Sequence, residues 1–346
     1  MAGFECIFID REAIATMKLV TYLHPETSAA RIGALTADLS EVVDLANSAK
    51  ALGRASDALT SMLALIEADE AGLTLAKAAL EHGTRAENSF LRLPLASLKL
   101  LAPVPRPTQM RDFLSFERHV QGCRTTRFKH RTKGMPDAQQ QWEAYVAAGG
   151  LKLAPVWYEQ PIYYKGNRMS VIGHEQDVHW PHYSNLLDYE LEFGILIGRG
   201  GKNISRENAR QHIFGFSIFN DISARDAQAR ESDGQLGPCK GKDFDTGNVI
   251  GPWLVTADEL PDPYNLVLTA RVNGEEWSRG HSGEMAHRFE DMIAHVSQDE
   301  TLYPGEFFGS GTVPGGCGLE LDRWLQRGDV IELEVQGLGV LRNRIV

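Results

Sequence analysis

Glu190 and Glu192 stand two residues apart in the run Leu187-Asp188-Tyr189-Glu190-Leu191-Glu192-Phe193, which alternates apolar and acidic side chains. In a strand, successive side chains point to opposite faces. Leu187, Tyr189, Leu191 and Phe193 would then enter a core, with Asp188, Glu190 and Glu192 on the other face. Acids that close repel one another unless water or a cation separates them. A divalent cation with oxygen ligands is one outcome; a solvated strand face is the other. The chain carries its own control. Glu332 and Glu334 repeat the spacing in Val330-Ile331-Glu332-Leu333-Glu334-Val335, after the turn-like Arg327-Gly328-Asp329, and read as an ordinary half-exposed strand. Spacing does not separate the two cases, but neighbouring polar groups do.

Three further segments supply such groups. Arg111-Asp112-Phe113-Leu114-Ser115-Phe116-Glu117-Arg118-His119 reads as a helix over 112–119, with Asp112 and His119 two turns apart on one face. The apolar stretch 214–219 runs abruptly into Asn220-Asp221-Ile222-Ser223-Ala224-Arg225-Asp226-Ala227-Gln228. Functional groups gather at such strand ends, where the sheet is rigid and the loop leaves room for a ligand. Gly241-Lys242-Asp243-Phe244-Asp245-Thr246-Gly247-Asn248 offers a lysine and backbone donors but does not meet the phosphate-loop pattern. The glycine-rich segment 309–316 fails the dinucleotide pattern, and no nucleophile elbow or H-E-x-x-H occurs.

These groups need a scaffold. Residues 17–22 and 31–35 read as strands, and 57–81 as helical with a break near Gly72. Three prolines in Pro103-Val104-Pro105-Arg106-Pro107 mark a boundary. A small domain over 1–102 is expected before it, with 1–16 an extension, and a large domain over 103–346 after it. Strands are expected at 171–172, 187–198, 213–219, 253–256, 266–272 and 330–335, and a helix at 287–298. Residues 121–150 are polar and basic with little periodicity, which suggests a lid. Its basic side chains include Arg124, Arg127, Lys129, Arg131 and Lys133, in a chain that is acidic overall. The fold class is α+β, dominated by strands.

The chain has 346 residues, 43% hydrophobic content and a formal net charge of −11. That charge argues against a general nucleic-acid grip. Cys6, Cys123, Cys239 and Cys317 are scattered, without a C-x-x-C pair. This argues against a disulfide scaffold or a thiolate zinc site and fits a reducing compartment. No signal peptide or membrane-length apolar stretch is evident, so a cytoplasmic location is expected.

Taken in order, Asp112 with His119, the Asp188–Glu192 run, the Asn220–Asp226 cluster, Gly241-Lys242-Asp243-Phe244 and Gly311-Thr312 resemble the fumarylacetoacetate hydrolase family. Tyr303-Pro304-Gly305-Glu306 and Gly328-Asp329-Val330-Ile331 fit its C-terminal pattern. The resemblance covers roughly 100–346, and more weakly 17–100. It implies a mixed β-roll catalytic domain behind a small N-terminal α/β domain, and a homodimer. It implies Asp112, Glu190, Glu192 and Asp221 as ligands of Mg²⁺, with Mn²⁺ or Ca²⁺ as alternatives. His119 would be general base, oriented by Glu320. Arg225, Gln228 and Lys242 would polarise a carbonyl, Tyr164 and Thr246 would touch substrate, and one of Arg124, Arg127 and Arg131 would bind a substrate carboxylate. The implied activity is metal-dependent hydrolysis of a carbon–carbon bond in a β-diketo acid of the fumarylacetoacetate, fumarylpyruvate or acylpyruvate type, in aromatic-compound catabolism. The alternative is an isomerase, hydratase or decarboxylase of a 2-oxo acid. Asp243 and Asp245 depart from the family pattern by placing extra acids beside Lys242.

Overall fold

A computed structural model describes residues 17–346; the expected extension over 1–16 lies outside the described residues. A twelve-stranded sheet forms the backbone of the molecule. Its centre is the antiparallel trio Leu191–Ile197, Ile213–Asp221 and Asn248–Thr256. All seven residues of the first strand and all nine of the second are buried. Their near-continuous apolar character fits a strand covered on both faces.

The sheet runs across the boundary expected at residue 102. Lys18 and Leu19 of the strand Lys18–Leu23 pair with Val255 and Leu254. The N-terminal helix Asp69–Thr84 buries Ala76, Ala79 and Leu80 in a core shared with Leu196, Phe214 and Leu254 of the large sheet. The helical break expected near Gly72 falls at Ala68–Asp69, where Asp69 takes a φ of 48°.

On the opposite face a four-stranded sheet, including Val267–Val272 and Val330–Val335, closes the main core. Tyr189, Leu191, Phe193 and Ile195 meet Leu268, Ile331 and Leu333 there, together with Phe289, Met292 and Ile293 of the helix Phe289–Val296. Glu332 and Glu334 lie half-buried on the outer face of their strand, and Glu334 pairs with Arg271 at 2.8 Å. This is the solvated arrangement expected for them. No helix among the described residues is long and apolar enough to cross a membrane.

Two local expectations are corrected. Residues 112–119 are not one helix. Met110–Phe113 is a strand, parallel to Phe307–Gly309 and antiparallel to Tyr163–Lys165, and the helix begins at Glu117. Pairing on both edges overrides the local helical pattern. Buried Arg111 anchors the strand, paired with Glu306 and stacked over the Phe308 ring. Nor is 121–150 unpatterned, for it folds into the helices Glu117–Thr132 and Ala138–Ala147. Phe128 of the first stacks on Tyr145 at 4.7 Å and meets Trp142 of the second at 5.4 Å.

Candidate active site

A cavity of about 330 Å³ opens between the edge of the large sheet and the Glu117 helix, lined by Asp112, His119, Glu190, Glu192, Arg225 and Lys242 among others. The acidic run at its base is a broken strand. Leu187–Asp188 pairs with Ser223–Ala224, and pairing resumes at Leu191 with the Ile213–Asp221 strand. The alternation survives the break, since Leu187, Tyr189, Leu191 and Phe193 all enter the core. The other face is buried too, with Asp188, Glu190 and Glu192 each at most 5% exposed.

Three carboxylates converge. Asp112 comes from the strand Met110–Phe113, Glu192 from the central strand and Asp221 from the end of the next, and each offers an oxygen within 4.8 Å of the others. Burial, then repulsion from Asp221, pushes Asp112 up to about 8. Burial and Asp112 push Glu192 well above the carboxylate range. Burial raises Asp221 to about 6, against the pull of Lys242. Asp112 Oδ1 and Asp221 Oδ1 are buried without a hydrogen-bond partner. Glu192 is fixed from behind by the Gly311 N–H and the Thr312 hydroxyl, both at 3.0 Å. Gly311 has a φ of 80°, and a Cβ there would stand 2.3 Å from the Phe113 carbonyl oxygen. This backbone fits only glycine.

The donor set fits a hard dication. It is all oxygen and has two orphaned lone-pair atoms. Glu190 stands apart from the trio. Its carboxylate lies 2.5 Å from Lys242 Nζ and 2.8 Å from Arg225 Nη2, the latter without hydrogen-bond alignment. Burial would raise it, but Arg225 and Lys242 hold it below the ordinary range. Lys242 also reaches Asp221 Oδ2 at 2.5 Å. Arg225 reaches Asp188 at 2.8 Å and donates to Gln228 Oε1 at 3.0 Å. Asp188, unassigned in the sequence reading, also accepts the Gly318 and Leu319 N–H groups and so ties the short helix Gly318–Leu321 to the site.

His119 forms the opposite wall. Its Nδ1 lies 2.6 Å from Glu320 Oε1, and the Gly315 N–H donates to Glu320 Oε2 at 2.9 Å. Burial pulls the imidazole down, but the neighbouring Cys317 and Glu320 outweigh it and push it up to about 10. Gly122 makes the approach possible, since a Cβ there would fall 2.4 Å from Glu320 Oε2. The scattered cysteines also meet here. Cys123 and Cys317 are buried beside His119 and Glu320.

Of the expected substrate contacts, Tyr164 lines the cavity and donates to Asp221 Oδ2 at 2.6 Å. Gln228 lines it as well. Thr246 is not among the lining residues; its hydroxyl accepts the His179 N–H at 2.8 Å. Asp243 accepts the Asn167 N–H and also lies outside the lining. Among the three arginines left open, Arg127 lines the cavity and is exposed at its mouth. Arg124 donates to the carbonyls of Gly150 and Lys152, and Arg131 lies over the Phe128 ring. His119, Cys123 and Arg127 are spaced by four on the helix Glu117–Thr132 and so share one face.

The model of the C-terminal domain of fumarylacetoacetate (FAA) hydrolase matches residues 136–346. The mitochondrial oxaloacetate tautomerase Fahd2a of Rattus norvegicus is 30% identical over 338 residues, covering 95% of this chain and 92% of that protein. The human oxaloacetate tautomerase FAHD2A is 39% identical over 189 residues, which span 54% of this chain and 60% of the human protein. The fumarylacetoacetate hydrolase of Exiguobacterium antarcticum superposes with a TM-score of 0.68 at 25% identity, over 95% of this chain and 99% of that one. A complex of maleylpyruvate hydrolase from Sphingobium sp. SYK-6 with manganese(II) and pyruvate shares the fold, with a TM-score of 0.67 at 21% identity, over 95% and 99% of the two chains.

Proposed function

Because this chain belongs to the fumarylacetoacetate hydrolase family, we propose that it is an enzyme that moves a proton at the carbon beside a 2-oxo group, as a keto–enol tautomerase of a small carboxylated 2-oxo acid of the oxaloacetate type. The observation that carries this reading is the His119–Glu320 pair. Nδ1 is occupied by Glu320, which leaves Nε2 to exchange a proton with a substrate held against the acidic trio.

Asp112, Glu192 and Asp221 would hold the dication, Mg²⁺ or Mn²⁺, with Glu190 as a further oxygen beside them. When bound, it would supply Lewis-acid charge that draws electron density toward the 2-oxo oxygen. Lys242 adds a fixed positive charge on the same side, and Arg225 holds Glu190 and Asp188 in place. His119, pushed up to about 10, rests as an imidazolium and is ready to donate to the carbon of an arriving enol. In the reverse direction the imidazole takes that proton back. Arg127 at the mouth receives a substrate carboxylate, and the two helices over 121–150 cover it as a lid. The reading includes a homodimer, which sedimentation would measure.

Hydrolytic cleavage of an acylpyruvate is the second reading. It is favoured by the same pair, because water activation also needs an oriented base. It requires His119 neutral at the start, as the keto-to-enol direction of the tautomerase also does, so the products formed decide between the two. Parallel incubations with enol-oxaloacetate and an acylpyruvate, each with Mn²⁺ and with EDTA, separate the two. Metal-dependent loss of the enol absorbance without new carboxylic acids supports the tautomerase. Cleavage of the acylpyruvate into two acids, with the enol unaffected, supports the hydrolase.

A further inference from the structure

The sequence spacing argued against a thiolate metal site, and the fold reverses that argument. Cys123 follows His119 by four residues on the Glu117 helix, so thiol and imidazole share one face a turn apart. Cys317 caps the helix Gly318–Leu321 and Glu320 lies in its first turn, so the second pair is C-x-x-E. The four side chains each offer one donor, and all four donors lie within 4.8 Å of one another. Cys123 Sγ is 3.7 Å from His119 Nε2, and Cys317 Sγ is 3.7 Å from Glu320 Oε1. We propose that His119, Cys123, Cys317 and Glu320 form a second metal site, of thiolate type, which takes Zn²⁺ or a similarly soft dication and blocks the catalytic cavity when filled.

The chemistry of the donors supports this choice. Tetrahedral zinc, with bonds of about 2.3 Å to sulfur and about 2.0–2.1 Å to nitrogen or oxygen, sets its ligands roughly 3.3–3.8 Å apart. The sulfur contacts already lie at that spacing. His119 Nδ1 and Glu320 Oε1, at 2.6 Å, stand too close to be two ligands of one ion, so the imidazole would ligate through Nε2, the nitrogen 3.7 Å from Cys123 Sγ. Soft thiolates select zinc over magnesium, whereas the all-oxygen trio across the cavity suits Mg²⁺ or Mn²⁺. The two sites therefore sort metals by hardness within one pocket. Cys123 lines the cavity, which gives an entry path. Binding releases the two thiol protons and the imidazolium proton to solvent. Burial holds the Cys317 thiol well above its ordinary value, but the Arg225 charge pulls the other way. Binding rests on these four side chains alone. Its effect on turnover rests on the role given above to His119.

Cadmium reports the site directly, through thiolate-to-metal absorption in the ultraviolet. With the trio saturated by Mg²⁺, Cd²⁺ titrated into the full chain should raise this band to one equivalent and abolish turnover in step. A chelator followed by Mg²⁺ should restore both. The Cys123→Ala/Cys317→Ala double variant should lose the band and need at least tenfold more Cd²⁺ for half-inhibition of its own rate. Cys239→Ser, altered at an exposed thiol outside the site, should keep both. A band that survives in the double variant overturns the proposal. If that variant does not fold, the wild type decides by alkylation. Cd²⁺ should protect Cys123 and Cys317 but leave Cys239 reactive, and equal labelling of all three with and without metal contradicts the site. Stoichiometric binding with undiminished turnover upholds the metal site but contradicts both its blocking of the cavity and the role of His119.

Discussion

Gly122 and Glu320 are in mutual contact across the catalytic pair. The glycine's missing side chain is the space that the carboxylate occupies, with Glu320 Oε2 2.4 Å from where a Cβ would stand. Gly122→Ala should therefore displace Glu320 from His119. The substitution improves helix propensity by about 1 kcal/mol, so the melting temperature should hold or rise while kcat falls roughly tenfold or more. A variant with unchanged kcat would mean that Glu320 does not position His119.

The same pair sets a pH dependence. The neighbouring Cys317 and Glu320 push His119 up to about 10, so a donating imidazolium persists until pH rises through that value. Glu320→Gln removes a supporting partner and lowers the basicity. The alkaline limb of the kcat profile should move down toward the ordinary imidazole value of about 6.5. An alkaline limb at the same pH in both proteins would contradict the assignment.

The two Glu-x-Glu strands should behave differently. Glu192→Gln should weaken Mn²⁺ binding strongly in calorimetry, and Glu332→Gln and Glu334→Gln should leave it unchanged. Glu190→Gln should in addition destabilise the fold by about 3 kcal/mol, because it strips a buried carboxylate from Lys242 and Arg225. Equal binding losses from both strands would rule out the trio as the metal site.

How far the sequence reached depends on the range of the forces involved. The alternation in 187–193 placed the four apolar side chains in the core, because that pattern is local. It did not reveal the break that gives Leu187–Asp188 and Leu191–Ile197 different partners. Asp112 and His119 were brought to one site by a helix that does not exist. They meet because the strand Met110–Phe113 and a helix start converge, and the pairing with Phe307–Gly309 and Tyr163–Lys165 decides that. The basic stretch 121–150 seemed unpatterned because its helices bury few side chains, chiefly against each other and the Cys317 loop. The meeting of Cys123 with Cys317 is wholly tertiary and had no sequence signal.

Metal-free protein should lose stability as pH rises. Asp112 and Asp221 have folded-state values of about 8 and 6, above their ordinary 3.8, so the folded chain holds protons that the unfolded chain has released. Their contribution is full below about pH 4 and is lost as pH climbs through 6 and then 8. Glu190, shifted the opposite way, contributes fully above its ordinary 4.5 and loses that contribution only as pH falls below it, so it does not mask this window. In EDTA the melting temperature should fall between pH 5 and 8, and Mn²⁺ should raise it more at pH 8 than at pH 5. A metal effect independent of pH would contradict the account of the acidic trio.

Arg127 at the cavity mouth should act on binding. Arg127→Ala should raise KM for a carboxylated substrate by roughly tenfold with kcat little changed, since a charged hydrogen bond contributes about 1.5–3 kcal/mol. Arg131→Ala, which removes a guanidinium already engaged with Phe128, should leave KM unchanged. Equal effects would place the carboxylate elsewhere.

The most direct measurement of the central claim follows hydrogen exchange beside the 2-oxo group. Oxaloacetate in deuterated buffer with Mn²⁺-loaded enzyme should exchange its methylene hydrogens well above the uncatalysed rate, read by mass spectrometry. His119→Ala should slow the enzymatic exchange about 10²–10⁴-fold while still binding Mn²⁺. Exchange by His119→Ala at the wild-type rate, with metal bound, would show that His119 does not move the proton and would contradict the account.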